Sequence, residues 1–191
     1  MVGSLTAVAL AECGFDVSLI ERKWPDAFDA GRHDLRVSAI SYATQRMFEA
    51  LDVWSDMVAM RVCPYARMRV WEADSQTEFN SDSIGRPQLG HIVENRVIQQ
   101  ALLQRAQQLV RVICPASIES LSTTTDGVLV RLDNGDELSA SLLVAADGAN
   151  SAARQLAGIT TNGESYDQHA LVASVTTSSV SYTHLTLPTK A

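Results

Sequence analysis

The sequence predicts an α/β fold that lacks its first strand, and three observations carry the prediction. An Ala- and Leu-rich helix opens the chain and gives way at Gly14 to a short apolar strand ending in Glu21. A run of alternating strands punctuated by Asp126-Gly127 and Asn134-Gly135 turn signals lies further on. After it, a fully apolar strand, Leu142 to Ala146, delivers Asp147-Gly148 into a turn before another helix.

The stretch from Val2 to Glu12 has helical composition, and Gly14 supplies its stop. Phe15 to Ile20 is β-branched and apolar, which predicts a strand. Helix, tight turn, buried strand and terminal acid form the second half of a βαβ unit, whose first strand belongs in the middle of a sheet. Met1 is therefore not expected to be a true domain start. Trp24 to Asp34 is polar and carries Pro and Gly, a loop, and short helices are expected around Ser41 to Leu51 and Trp54 to Met60. Met68 to Trp71 and Thr77 to Phe79 alternate as half-exposed strands. Asn95 to Gln108 has the spacing of an amphipathic helix, with Val97, Ala101, Leu102 and Leu109 near one stripe. Val110 to Cys114 is a strand. Ile118 to Leu121, Val128 to Leu132 and Glu137 to Ala140 form a meander, and a helix is expected over Ser151 to Ala157. Residues 178–191 are Ser/Thr-rich, lack the preceding pattern, and read as a non-native tail.

Composition narrows the function. With 191 residues, 46% hydrophobic and 19% charged, the chain is globular and has about one domain of core. A net charge of −7 without a basic run excludes a broad nucleic-acid footprint. Cys13, Cys63 and Cys114 are far apart and make no metal-ligand spacing, so they read as small buried hydrophobes of a reducing compartment. No apolar run reaches about 18 residues, and no signal peptide is seen. A cytoplasmic location is the default.

Four strings carry chemistry. Gly3 opens the first helix in the position of the third glycine of a G-x-G-x-x-G fingerprint, where a missing side chain lets helix and strand pack closely. Packing alone explains a single glycine equally well. Glu21 lies 18 residues later at a strand end, where such folds place an acid against ribose hydroxyls. In the second string Asp147 and Gly148 are delivered to the carboxyl edge of a sheet, with Asn150 or Ser151 ready to cap the next helix. The third, Asp34 to Ser41, puts Arg36 ahead of a helix that starts with Ser, which suits an anion; taken bare, Arg36 reads as a surface ion-pairing residue. In the fourth, Leu89 to Leu103, Asn95 sits at a helix start and either caps it or turns its amide to a ligand. His33, His91 and His169 are isolated from any nucleophilic motif, so no catalytic side chain is assigned and the chemistry falls to a cofactor.

At these strings the sequence resembles the FAD-dependent aromatic hydroxylases, most closely the ubiquinone-biosynthesis branch. The carrying residues are Met1-Val2-Gly3, Leu35-Arg36-Val37-Ser38-Ala39-Ile40, Leu51-Asp52-Val53-Trp54, Gly90-His91-Ile92-Val93-Glu94-Asn95 and Ala146-Asp147-Gly148-Ala149-Asn150-Ser151. Tyr166-Asp167-Gln168-His169-Ala170-Leu171-Val172-Ala173 resembles the family's return to its substrate domain. The resemblance implies a Rossmann-like, para-hydroxybenzoate-hydroxylase-like FAD-binding domain. It implies FAD as cofactor, NAD(P)H as co-substrate and O2 as oxidant. The implied substrate is a small, polyprenylated aromatic ring, and the implied association is peripheral, at the inner membrane or in a biosynthetic complex. It also assigns roles: Gly3 to the pyrophosphate, Glu21 to the adenosine ribose, Arg36 to the flavin nucleotide, Asn95 to the cofactor's neighbourhood, and Asp147 and Gly148 to FAD and the nicotinamide donor.

The expected organisation is an FAD-binding domain in two parts, 1–66 and 90–163. A substrate-sheet excursion, 67–89, separates them, and the start of a substrate domain, 164–177, precedes the tail. With the fingerprint strand and its first two glycines missing, the chain alone is expected to bind FAD poorly and to be inactive. The rival readings are another phenol hydroxylase of the same fold, a nicotinamide-dependent Rossmann dehydrogenase, and a non-catalytic module.

Overall fold

The computed structural model of the protein describes residues 1–163 and 167–175, so the tail predicted over 178–191 lies outside the described residues, as does Tyr166. The opening helix, α1 (Val2–Glu12), leads to β1 (Ser18–Ile20), which is shorter than the expected Phe15 to Ile20 because Phe15 is solvent-exposed. After a long loop come β2 (Val37–Ser41), α2 (Tyr42–Ala50), α3 (Trp54–Met60) and β3 (Val62–Tyr65). A hairpin of β4 (Arg67–Glu72) and β5 (Ser75–Asn80) follows, then a single 3-10 turn, Ser81–Ile84. Next are β6 (Gly90–Glu94), α4 (Asn95–Leu109), β7 (Arg111–Ile113), the meander β8 (Ile118–Thr124), β9 (Gly127–Leu132) and β10 (Glu137–Ala140), and α5 (Ala152–Leu156).

β1 pairs in parallel with β7, Leu19 opposite Val112, which is the parallel geometry expected when a helix crosses over between strands. β6 is the centre of an antiparallel sheet, β2-β6-β3, and the meander forms its own sheet, β10-β9-β8. The β2-β6-β3 sheet escaped the sequence reading. Gly90 shows why the pairing is close: a Cβ there would stand 2.2 Å from the Ile40 carbonyl oxygen, so only glycine fits.

α4 organises the core. It packs against α1, α3, β6 and β7. Val97, Ile98, Ala101, Leu102 and Ala106 are buried at helical spacing, joined by Val8 from α1, Phe48 from α2, Met57 from α3 and Val93 from β6. Leu109, expected on the same stripe, is exposed instead, because it ends the helix. A second cluster, Ala116, Val128, Val130 and Leu132, packs the meander onto Ile20 and Ile113.

The expected strand Leu142 to Ala146 is extended but belongs to no sheet among the described residues. A strand needs a ladder partner for its backbone groups. Here Leu142 is 74% exposed and Val144 half exposed. The cysteines also depart from expectation. All three are free thiols, in line with the reading, but Cys13 at a helix end and Cys63 in β3 are exposed and Cys114 is half-buried.

Since Leu102 is almost wholly enclosed in the cluster around α4, Leu102→Ala is expected to lower unfolding free energy by about 2–5 kcal/mol. Urea denaturation followed by circular dichroism checks it; a loss near that of a surface substitution would mean that α4 is not the core helix.

Candidate functional site: the groove beside Glu21 and the stripe of α4

Glu21 stands where β1 ends. Its N–H donates to the Ile113 carbonyl and its own carbonyl accepts from Ala116 N–H, both at 3.0 Å, so the backbone is fixed on both sides. Among the described residues the carboxylate accepts its neighbour's amide, Arg22 N–H at 3.0 Å, and acts electrostatically on the Met1 amino group that lines the same groove. It borders a groove of about 250 Å³ shared with Ser4, Trp24, Gln99 and Leu103. Whole-ligand pockets run to about 300–1,000 Å³, so this groove has room for one end of a dinucleotide.

Gly3 lies between β1 and the extended 142–146 segment. A Cβ at Gly3 would meet the Ala146 side chain at 3.4 Å and Leu19 at 3.9 Å. The first turn of α1 thus touches the residue before Asp147 through Gly3 and borders the Glu21 groove through Ser4. α1 has no side-chain cap at its N-terminus, and its first intrahelical bond runs from Leu5 N–H to the Met1 carbonyl. Its leading amides therefore face outward with the positive end of the helix dipole, which suits a phosphate.

Arg36 and Asn95 are brought together at the matched ends of β2 and β6, where Val37 faces Glu94. The Arg36 carbonyl accepts from Asn95 N–H at 2.9 Å, and the Arg36 side chain is exposed. Asn95 does not cap α4: Glu94 takes the cap position, and the Asn95 side-chain Oδ1 accepts the Ser38 hydroxyl at 2.6 Å. Along α4, Asn95, Gln99 and Leu103 recur every fourth residue and so share a face. Eight residues of helix rise about 12 Å, and this stripe joins the Arg36 end to the Glu21 groove.

Asp147 is engaged differently from expectation. Its carboxylate accepts the Ser151 hydroxyl and Ala153 N–H, and Ser151 in turn accepts Arg154 N–H at 3.0 Å, so Asp147 and Ser151 cap α5 together. Burial pushes the Asp147 pKa up, but the hydroxyl and the surrounding backbone N–H groups outweigh it and hold the carboxyl below the ordinary aspartate range. Gly148 adopts φ +91, a left-handed conformation that favours glycine, and borders a second, more apolar groove of about 580 Å³ between the meander and α5.

A polar cluster behind Arg36 was missed. Glu94, 5% exposed, accepts Arg61 Nη1 at 2.5 Å and Asp34 N–H at 3.1 Å. Arg61 also donates to the Ala30 carbonyl at 2.5 Å and the Arg32 carbonyl at 3.2 Å, and lies over the Phe28 ring at 5.0 Å. The apolar run ending in an acid at Glu94 repeats the pattern that singled out Glu21. Nothing local marks Arg61, whose partner is 33 residues away.

Burial pushes the Glu94 pKa up, yet Arg61, Asp34 N–H and His33 together bring it below its ordinary 4.5. A depressed carboxyl pKa stabilises the fold above the unfolded value and loses that stabilisation as pH falls through the folded value. Unfolding free energy is therefore expected to fall more steeply for the wild type than for Glu94→Gln between about pH 6 and pH 3. Parallel slopes in urea titrations across that range would remove the claim.

The residues present fit an adenine dinucleotide. They offer an acid bordering a groove, uncapped amides at a helix start and an exposed Arg just ahead of β2, whose carbonyl meets the first residue of α4. Comparison with known proteins agrees. Residues 1–189 match the family described as FAD binding domain. The chain is 39% identical over 179 residues to 3-demethoxyubiquinol 3-hydroxylase of Escherichia coli K12, covering 92% of this chain and 46% of that protein. It is 34% identical over 178 residues to ubiquinone hydroxylase UbiL of Rhodospirillum rubrum, covering 92% and 41%. The chain thus spans less than half the length of these curated relatives. Among solved structures, Pseudomonas aeruginosa PqsL in complex with 2-aminobenzoylacetate superposes with a TM-score of 0.69 at 19% identity, over 85% of this chain and 45% of that one. The flavin-dependent monooxygenase PieE, solved with FAD and substrate, gives 0.65 at 21% identity, over 85% and 31%. The likeness of architecture agrees with the match over nearly the whole length, and the chain belongs to the FAD-binding domain family.

Proposed function

We propose that this chain forms the FAD-holding part of a flavin-dependent monooxygenase that hydroxylates the aromatic ring of a ubiquinone precursor with NAD(P)H and O2. The observation that carries the reading is the placement of α4, on which Gln99 lines the Glu21 groove and Asn95, one turn earlier, binds the Arg36 carbonyl through its N–H. The names of the relatives support an aromatic ubiquinone precursor as the substrate class. We propose further that its ring is polyprenylated and is reached peripherally at a membrane surface or within a biosynthetic complex. No helix among the described residues is long and apolar enough to cross a membrane.

FAD, once bound and reduced by the nicotinamide donor, supplies the activation of O2. The chain supplies binding and orientation. Glu21 accepts both ribose hydroxyls, and its negative charge disfavours a 2′-phosphate. Gly3 and the leading amides of α1 approach the pyrophosphate, and Arg36, at the opposite end of the stripe, meets the flavin nucleotide. Asn95 holds the start of α4 in place through Ser38. Asp147 keeps the turn at Gly148 in the shape that faces flavin and nicotinamide. Within this reading, residues 67–89 are an excursion into a substrate-domain sheet and residues 164–177 begin that domain.

The 191-residue chain alone is expected to bind FAD weakly, since its groove is shallow and the 142–146 segment is unladdered. A yellow, stoichiometrically loaded preparation would count against that. The activity is best tried in a chimaera, with residues 1–175 replacing the aligned stretch of the E. coli relative in a strain that lacks it. Ubiquinone made by the chimaera, measured by mass spectrometry, is the expected outcome. Glu21→Ala should weaken FAD binding by about tenfold or more, as for lost hydrogen bonds to a charged group. An FAD-loaded chimaera that makes no ubiquinone would move the chain to another aromatic hydroxylase of the same fold.

A further inference from the structure

The loop from 21 to 36 has no helix or strand in it, longer than the usual connection in an α/β unit and of a length that is uncommon without a role. Yet it is tied down at short intervals. Phe28 N–H donates to Gln100 Oε1 of α4 at 2.7 Å. The carbonyls of Ala30 and Arg32 take both arms of one guanidinium, that of Arg61, and the His33 Nδ1 lies 3.0 Å from it. Asp34 N–H ends on Glu94.

We propose that Arg61 and Glu94 are positioning residues, a clamp that sets the 28–36 loop so that Arg36 faces the cofactor; this rests on the FAD reading above. The connection is unbroken. Arg61 binds Glu94, Glu94 binds the Asp34 amide, and the Asp34 carboxylate accepts Arg36 N–H at 3.3 Å. On the far side the Arg36 carbonyl is held by Asn95, the residue after Glu94. Arg36 is therefore fixed at both its backbone groups, by partners that trace back to one buried carboxylate. An Arg is suited to the role because its planar fork reaches several acceptors at once, which a Lys ammonium on a single stem does not. Neither Arg61 nor Glu94 needs to touch the cofactor for this.

Two measurements separate the clamp from the FAD reading. The first uses the chain without cofactor and follows trypsin cleavage after Arg32 and Arg36, both exposed, against cleavage after Arg131 in the meander. Removing one partner of a buried pair leaves the other uncompensated, and proteolysis follows the open population, so Arg61→Ala should speed loop cleavage about tenfold or more and leave the meander site unchanged. Glu94→Gln, which keeps the shape, should give the same pattern more mildly and stands in if Arg61→Ala does not fold. Loop cleavage at the wild-type rate in both variants overturns the clamp, whatever the chain binds. The second uses the chimaera and a double-mutant cycle. Arg61→Ala should weaken FAD about tenfold while leaving ADP affinity nearly unchanged, and should have no further effect where Arg36 is already Ala. Loss of FAD affinity that persists in the Arg36→Ala background, or no loss at all, overturns the positioning role. A wild-type chimaera that binds no FAD at all counts against the functional reading, and the trypsin arm still judges the loop.

Discussion

The burial of α4 among α1, α3 and two separate sheets is the constraint on which the other elements depend. Ala101 and Ala106 are fully enclosed, and such small side chains let α1 come close enough for Val8 to be buried as well. The approach sets the start of α1 beside the end of β1, which is how Ser4 and Glu21 come to border the same groove. The opposite end of α4 meets β6, and through it β2 and the loop leading to Arg36. One helix therefore spaces two binding elements that are far apart in sequence. A dinucleotide is long, so a rigid spacer of about 12 Å is what its recognition calls for.

Charge in this acidic protein is used locally. Buried Glu94 and exposed Asp147 are both carboxylates kept ionised by donors on the chain, yet their partners differ in kind. Asp147 relies on a hydroxyl and amides at the start of α5, within six residues of itself. Glu94 relies on a guanidinium from α3's far end and on a loop amide 60 residues earlier. The first tie holds one turn; the second holds three segments together. In the proposed reading an anionic cofactor is accommodated despite the net charge of −7, because the groups assigned to its phosphates are amides and one Arg.

Much of this was legible in the residues. Helices with apolar periodicity, Asn95 to Gln108 above all, and the meander with its two Gly-containing turns appear where patterning put them, since local preference and burial agree there. Ser151 caps α5 as its residue type suggested. The β2-β6-β3 sheet was not legible: its strands are short, separated by helices or a hairpin, and Gly90 conceals the central one. The opposite failure came at Leu142 to Ala146, where apolar content was right but pairing, a property of two segments, was lacking. Of the candidate residues, Gly3 and the Ser4 that shares Glu21's groove lie in the first turn of α1 and Arg36 meets Asn95, whereas the Asp147 side chain is engaged in capping α5. Arg61 was invisible because an ion pair that closes over 33 residues leaves no mark in either neighbourhood.

The extended 142–146 segment has a practical consequence. It belongs to no sheet among the described residues and carries exposed Leu142 and Val144, an arrangement that favours pairing with an available strand. In concentrated solution the available strand is another molecule of the same chain. Purified material should be handled dilute, and a broadening sedimentation profile on concentration would reflect edge-to-edge stacking rather than a functional assembly.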